Sequence, residues 1–213
     1  MSNHFKIKYE KWRLIRLVVA PFLFFSLFAG HPISIDGLFQ DWESVPRAYT
    51  DAEGDGENSD FADLKITYDN EFLFIYFSFY GGEHLLQDWN DFHLYVDADN
   101  DTATGYQIGG IGAELDWSFG SRWGYQYVNG QQVELGQNGL TLRIAPTVTG
   151  MEFEIALARE CPTLTLNGGQ ALVDFRLLIK DAVNEGDMLP DESGGIEFFI
   201  GDDAVPLPEP IPL

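Results

Sequence analysis

The chain has 213 residues, 45% hydrophobic and 15% aromatic, which is enough for one well-cored domain and sets it apart from disordered chains. Its net charge of −22 is unevenly placed. Five of the twelve basic residues (Lys6, Lys8, Lys11, Arg13, Arg16) but only one acid, Glu10, fall in positions 1–30, leaving 7 bases against 33 acids in the rest. A body that acidic repels nucleic acid and anionic membranes and attracts cations, so nucleic-acid binding is excluded.

Residues 1–30 run from this basic segment into LVVAPFLFFSLFAG, a short apolar run ending in small residues. That is the layout of a secretory signal peptide, and the run is short for a transmembrane helix. A cut after Ala29 or Gly30 would put Leu27 or Phe28 where a small residue is preferred, so a signal anchor is the alternative. The expected location is secreted, extracellular or periplasmic, or at the cell surface, with no membrane contact beyond such an anchor. Cys161 is the one cysteine, so no intrachain disulfide can form, and it reads as a small buried residue.

From residue 31 the pattern is of strand type. FADLKITYD (61–69) alternates, with Leu64, Ile66 and Tyr68 on one face. EFLFIYFSFY (71–80) follows an Asp69-Asn70 turn and is apolar on both faces, as expected of a strand covered on each side. Further strands are expected at 91–97, 113–119, 123–128, 140–147, 151–157, 171–180 and 196–200. They are punctuated by Gly81-Gly82, Asn129-Gly130, Asn138-Gly139, Gly168-Gly169 and Gly194-Gly195. The one helical candidate is a turn or so around Leu157 to Cys161. The expected fold is all-β: a single-domain antiparallel β-sandwich of two sheets, jelly-roll or immunoglobulin-like, over 31–203. AVPLPEPIPL (204–213) reads as a proline-rich linker.

Three stretches then point one way: ISIDGLFQDWESVP (33–46), LYVDADNDTATGY (94–106) leading into GIGAELDWSF (110–119), and EFEIALARE (152–160) followed by FRLLIKDAVNEGDMLPDESGGIEFFI (175–200). In that order and spacing the chain resembles the family 9 carbohydrate-binding modules and the related DOMON-like β-sandwiches of secreted bacterial proteins. The resemblance implies the sandwich fold, a structural calcium, and a non-catalytic role with a polysaccharide or glycan as partner.

Two acidic groups suit a hard cation, which takes six to eight oxygen ligands. Asp97, Asp99 and Asp101 sit at alternate positions with Thr102 and Thr104 nearby, though without the glycine and glutamate of an EF-hand; the alternative is a solvated turn. In TDAEGDGENSDFAD (50–63) the resemblance favours Asp51, Asp55 and Asp63 as ligands, against a disordered acidic loop. A third group, Asp181, Glu185, Asp187, Asp191 and Glu192, reads as a solvated turn. For catalysis the best pair is Glu114 and Asp116, but same-facing carboxyls on one strand do not flank a substrate as a glycosidase pair does. No catalytic residue is therefore assigned.

Aromatics carry the remaining signal, because sugars stack flat C–H faces on rings. Trp42 reads as a core plug. Trp89, in a polar loop, and Trp123 with Tyr125, on one face of a strand, are the expected sugar platform, with Arg122 as a polar contact. The leading reading is a secreted carbohydrate-binding module with structural calcium. The alternatives are a calcium-stabilised structural or adhesive surface domain, and a glycan-acting enzyme with the Glu114/Asp116 region in a cleft.

Overall fold

The computed structural model describes residues 33–88, 91–160, 171–183 and 186–201. The signal segment, Trp89, Cys161 and the proline-rich tail lie outside the described residues. Among those described, no helix is long and apolar enough to cross a membrane.

Two antiparallel sheets enclose one core. The first has five strands in the order β1 (Arg47–Thr50), β2 (Phe61–Tyr68), β3 (Phe72–Phe79), β11 (Glu152–Ala158) and β10 (Leu142–Ala145). The second runs β13 (Met188–Leu189), β12 (Asp174–Asp181), β4 (Phe92–Asp97), β7 (Leu115–Ser118), β8 (Trp123–Val128) and β9 (Gln131–Gly136). β14 (Ile196–Phe199) pairs with the first half of β12, and β13 with its end. A two-stranded flap, β5 (Tyr106–Ile108) with β6 (Ile111–Ala113), is hydrogen-bonded into neither sheet.

Alternation fills the core. Leu73, Ile75 and Phe77 of β3 meet Leu94 and Val96 of β4, Leu115 and Trp117 of β7, and Leu177 and Ile179 of β12 in one continuous cluster. The β2–β3 turn forms because Asp69 Oδ1 accepts hydrogen bonds from the backbone N–H groups of Glu71 and Phe72, at 2.8 and 2.7 Å. The expected helical turn at 157–161 is not formed at its start: β11 continues to Ala158, which pairs with Phe72. Extending the ladder there satisfies backbone groups that a single helical turn would leave open. The short helical turns fall instead at Gln40–Ser44 and Gln137–Leu140.

The other face of β3 is also apolar, and the segment from Ile33 to Val45 covers it. Trp42, Val45, Ile33, Ile35 and Phe39 pack on Phe72, Phe74, Tyr76 and Ala156. Glu154, wholly buried on the outer face of β11, holds this strap. Its carboxylate accepts from the N–H groups of Asp36 and Gly37 at 2.8 and 2.6 Å and from Trp42 Nε1 at 2.9 Å. Three donors on its two oxygens make the burial of this carboxyl tolerable. Glu154→Ala strands those donors and is expected to cost roughly 2–4 kcal/mol, lowering Tm by roughly 5–15 °C in a thermal melt. An unchanged Tm would show that the strap is held by apolar packing alone.

Candidate functional site

The outer face of the larger sheet is covered over only part of its width. The flap lies on it, with Ile111, Ala113 and Ile108 packed against Tyr95 of β4 and Leu178 of β12. Tyr106, at the start of the flap, stacks between Tyr95 and Tyr127, with ring centroids at 6.1 and 5.7 Å and planes within 22° of parallel. His93 continues the stack beyond Tyr95, at 5.5 Å and 14°. Two glycines permit this arrangement. A Cβ at Gly112 would come within 2.3 Å of the Thr104 carbonyl, and one at Gly124 within 2.2 Å of the Asp116 carbonyl, so the flap and β8 approach their neighbours as only glycine allows.

Beyond the flap the sheet is open. Successive strands bring His93, Ser118 and Trp123 into one row and Tyr95, Asp116 and Tyr125 into the next, all on the outer side. All of these but Tyr95 line a hollow of about 440 Å³, with Asp91 and Ser121 at its border. Trp123 exposes 44% of its surface there, whereas Trp42 and Trp117 are fully buried. The two ring nitrogens of His93 face carboxylate acceptors, Nδ1 the Asp116 Oδ1 at 2.5 Å and Nε2 the Asp91 Oδ1 at 3.0 Å. Burial disfavours its charged form, but the hydrogen bonds and charges of Asp116 and then Asp91 outweigh burial, so its pKa is raised above the ordinary 6.5. Chemically this is a ring platform beside oriented oxygen acceptors.

A second constellation sits where the two sheets meet. Asp51 and Asp55, in the loop between β1 and β2, lie with Asp187 and Asp191, which flank β13, so that one oxygen from each is within 4.8 Å of the others. Asp60 shapes the loop by accepting from the N–H groups of Gly54 and Gly56. Asp187 accepts from the Phe61 N–H at 2.6 Å, and Ser59 donates to Asp181 at 2.6 Å, tying the loop to the second sheet. Asp51 is only 4% exposed, and no donor reaches either of its carboxylate oxygens. Burial first, then Asp191, Asp187 and Asp55, push its pKa up to about 8, and burial raises Asp187 to about 6. An ionised carboxylate so placed is uncompensated unless a cation joins it.

The group at the end of β4 is built differently. Asp97, Asp99 and Glu114 approach one another, but the buried members are already occupied. Asp97 accepts from the N–H groups of Asp101 and Gly112, and Glu114 from the Ala98 N–H and the Thr104 hydroxyl. Burial raises the Glu114 carboxyl to about 7.

The structure thus sorts the expected residues. Trp123, Tyr125 and Arg122 border the open face, with Arg122 in an adjoining hollow; Trp89 lies outside the described residues. Asp51 and Asp55 come together, but with Asp187 and Asp191 rather than with Asp63, which is paired to Arg47 at 2.7 Å and to Thr50. Asp187 and Asp191 were expected in a solvated turn, yet Asp187 is buried, because β13 folds back along β12 and carries the turn to the sheet junction. Asp101 stands outside the cluster of Asp97 and Asp99 and caps the turn through the Ala103 N–H at 3.0 Å. Glu114 and Asp116 do not form a pair, since Glu114 is held under the 98–104 turn and Asp116 by His93. His93 and Asp91 are the site residues that sequence reasoning missed; the Asp-Phe-His order at 91–93 was the available signal.

No family model matches the chain, and no curated protein matches it. Among solved structures it is similar to a family 9 carbohydrate-binding module from Caldicellulosiruptor kristjanssonii in complex with cellotriose. The identity is 14% over 85% of this chain and 97% of that one, with a TM-score of 0.42. A likeness of that size fixes neither ligand nor site residues here, and the sandwich is established by the strand topology itself.

A raised His93 pKa means that its bridge to the two aspartates stabilises fully below the unfolded value of about 6.5 and is lost as pH rises through the higher folded value. Urea unfolding of the native protein and His93→Gln should show a native advantage at about pH 6 that shrinks toward about pH 9. A pH-independent difference would contradict the bridge.

Proposed function

We propose that the protein is an exported, non-catalytic carbohydrate-binding module, stiffened by a divalent cation, and that sugars bind on the open outer face of the larger sheet. The observation that carries this reading is the exposed Trp123 indole beside Tyr125, bordering a hollow whose other walls are the oxygen groups of Asp91, Asp116, Ser118 and Ser121. A ring face takes the flat C–H side of a pyranose, and neighbouring carboxylates and hydroxyls take its hydroxyl groups. His93 fixes the two carboxylates before a ligand arrives, which lowers the ordering cost of binding. The basic and apolar N-terminal segment supports placement outside the cytoplasm.

Binding to a panel of immobilised neutral glycans, followed by Trp123→Ala, tests the reading. A coherent set of sugars should bind, and the variant should lose roughly tenfold or more in affinity with an unchanged melt. A blank panel with a cooperatively folded protein would favour the structural or adhesive alternative.

For the cation, Asp51, Asp55, Asp187 and Asp191 supply hard oxygen donors, and the unpartnered buried Asp51 fits an ion better than it fits an empty turn. The ion would neutralise charge and join a loop of each sheet. Calcium against chelator should raise Tm by roughly 5–10 °C. Asp51→Asn should abolish that response while raising the Tm of the chelated protein, and Asp63→Asn should leave the response intact. Equal melts with calcium and chelator would remove the cation from the account.

A further inference from the structure

The hollow at Trp123 does not end at Ser121. A second hollow, of about 520 Å³, adjoins it and shares Asp91, Ser118 and Ser121. Its remaining walls come from Gln87 and Asp88, before β4, and from Gly120 and Arg122, in the β7–β8 turn. Neither hollow is enclosed, and Asp91, Ser118 and Ser121 border both.

Each hollow has the volume of a small-ligand site, and the residues they share make them neighbours on one face of the sheet. The two ends differ in chemistry. At one end Trp123 and Tyr125 offer ring faces; at the other Gln87, Asp88 and Arg122 offer hydrogen-bonding groups, and no ion pair holds Arg122 among the described residues. A single ring stacked on Trp123 would leave the polar end unused.

Charge narrows the class of ligand. Asp88, Asp91 and Asp116 face the trough. The cations near them are His93, already held by two of those aspartates, and Arg122. Outside residues 1–30 the chain carries 33 acids against 7 bases. A uronate or sulfated sugar would bring its negative charge against this field, whereas neutral hydroxyls meet acceptors.

We propose that the two hollows are one trough with two subsites, which takes a neutral polysaccharide chain across at least two consecutive sugar residues. One residue stacks at Trp123 and Tyr125, and the next reaches Gln87, Asp88 and Arg122. The inference rests on the sugar reading above and adds to it the chain length and charge class of the ligand.

Isothermal titration of the purified protein tests it. The probes are neutral oligosaccharides of one to six units built from glucose, xylose, mannose, galactose or N-acetylglucosamine, with oligogalacturonides as the anionic counterpart. The backbone that binds should gain tenfold or more in affinity between one unit and three or four, and the oligogalacturonides should bind at least tenfold more weakly. Gln87→Ala and Arg122→Asn, the latter keeping a residue that tolerates the positive φ of 53° at that position, should erase the gain with length. Binding of the shortest ligand should survive both changes, whereas Trp123→Ala should weaken every length. Affinity independent of length, or a preference for oligogalacturonides, overturns this inference while the sugar reading stands. A blank across all probes overturns the sugar reading and this inference with it.

Discussion

A strand that is apolar on both faces has to be covered twice, and β3 imposes that condition on the whole sandwich. Its inner residues meet the second sheet, and its outer residues, Phe72, Phe74 and Tyr76, require a lid. The strap from Ile33 to Val45 is that lid, pinned by Glu154 through three donors and by Lys65, whose Nζ donates to the Trp42 carbonyl at 2.9 Å. With that outer face covered by the strap, recognition is assigned here to the outer face of the larger sheet. There the flap covers the portion around Tyr95 and Leu178 and stops at Tyr106. The uncovered remainder is the trough.

Buried carboxylates recur in this acidic chain, and they serve three different ends. Glu154 is saturated by donors and acts as a pin. Asp97 and Glu114 each accept from two N–H or hydroxyl donors and shape the 98–104 turn. Asp51 is buried without any donor, in contact range of three other aspartates. Donor count, rather than clustering, is what separates a structural carboxylate from a candidate ion site. By that measure the loop at 51–60 is the stronger candidate of the two groups.

Much of this was legible in the sequence. Alternation and glycine turns marked the long strands, and the doubly apolar β3 announced its double cover. Trp42 read as a core plug and is one, and Trp123 with Tyr125 read as one face and shares it. What escaped was set by tertiary pairing. β1, β5, β6, β9 and β13 are short or polar, and β9 is exposed along most of its length, so no local pattern distinguishes them from loops. Asp187 and Asp191 lie far along the chain from Asp51 and meet it only because β13 returns along β12 beside β2. The same holds for His93, whose partner Asp116 is set by the β4–β7 register. The opposite error came from local signal overvalued: Asp63 follows the acidic loop as a ligand would, but Arg47 on the neighbouring strand takes it.

The central claim is that ligand meets the rings of the open face and leaves the buried ones untouched. It is tested most directly by following the indole N–H resonances of ¹⁵N-labelled protein while a pool of neutral oligosaccharides is added. The account predicts that the Trp123 signal shifts in a saturable way while those of Trp42 and Trp117 stay in place. A Trp123 signal that stays in place while the oligosaccharides demonstrably bind would contradict it.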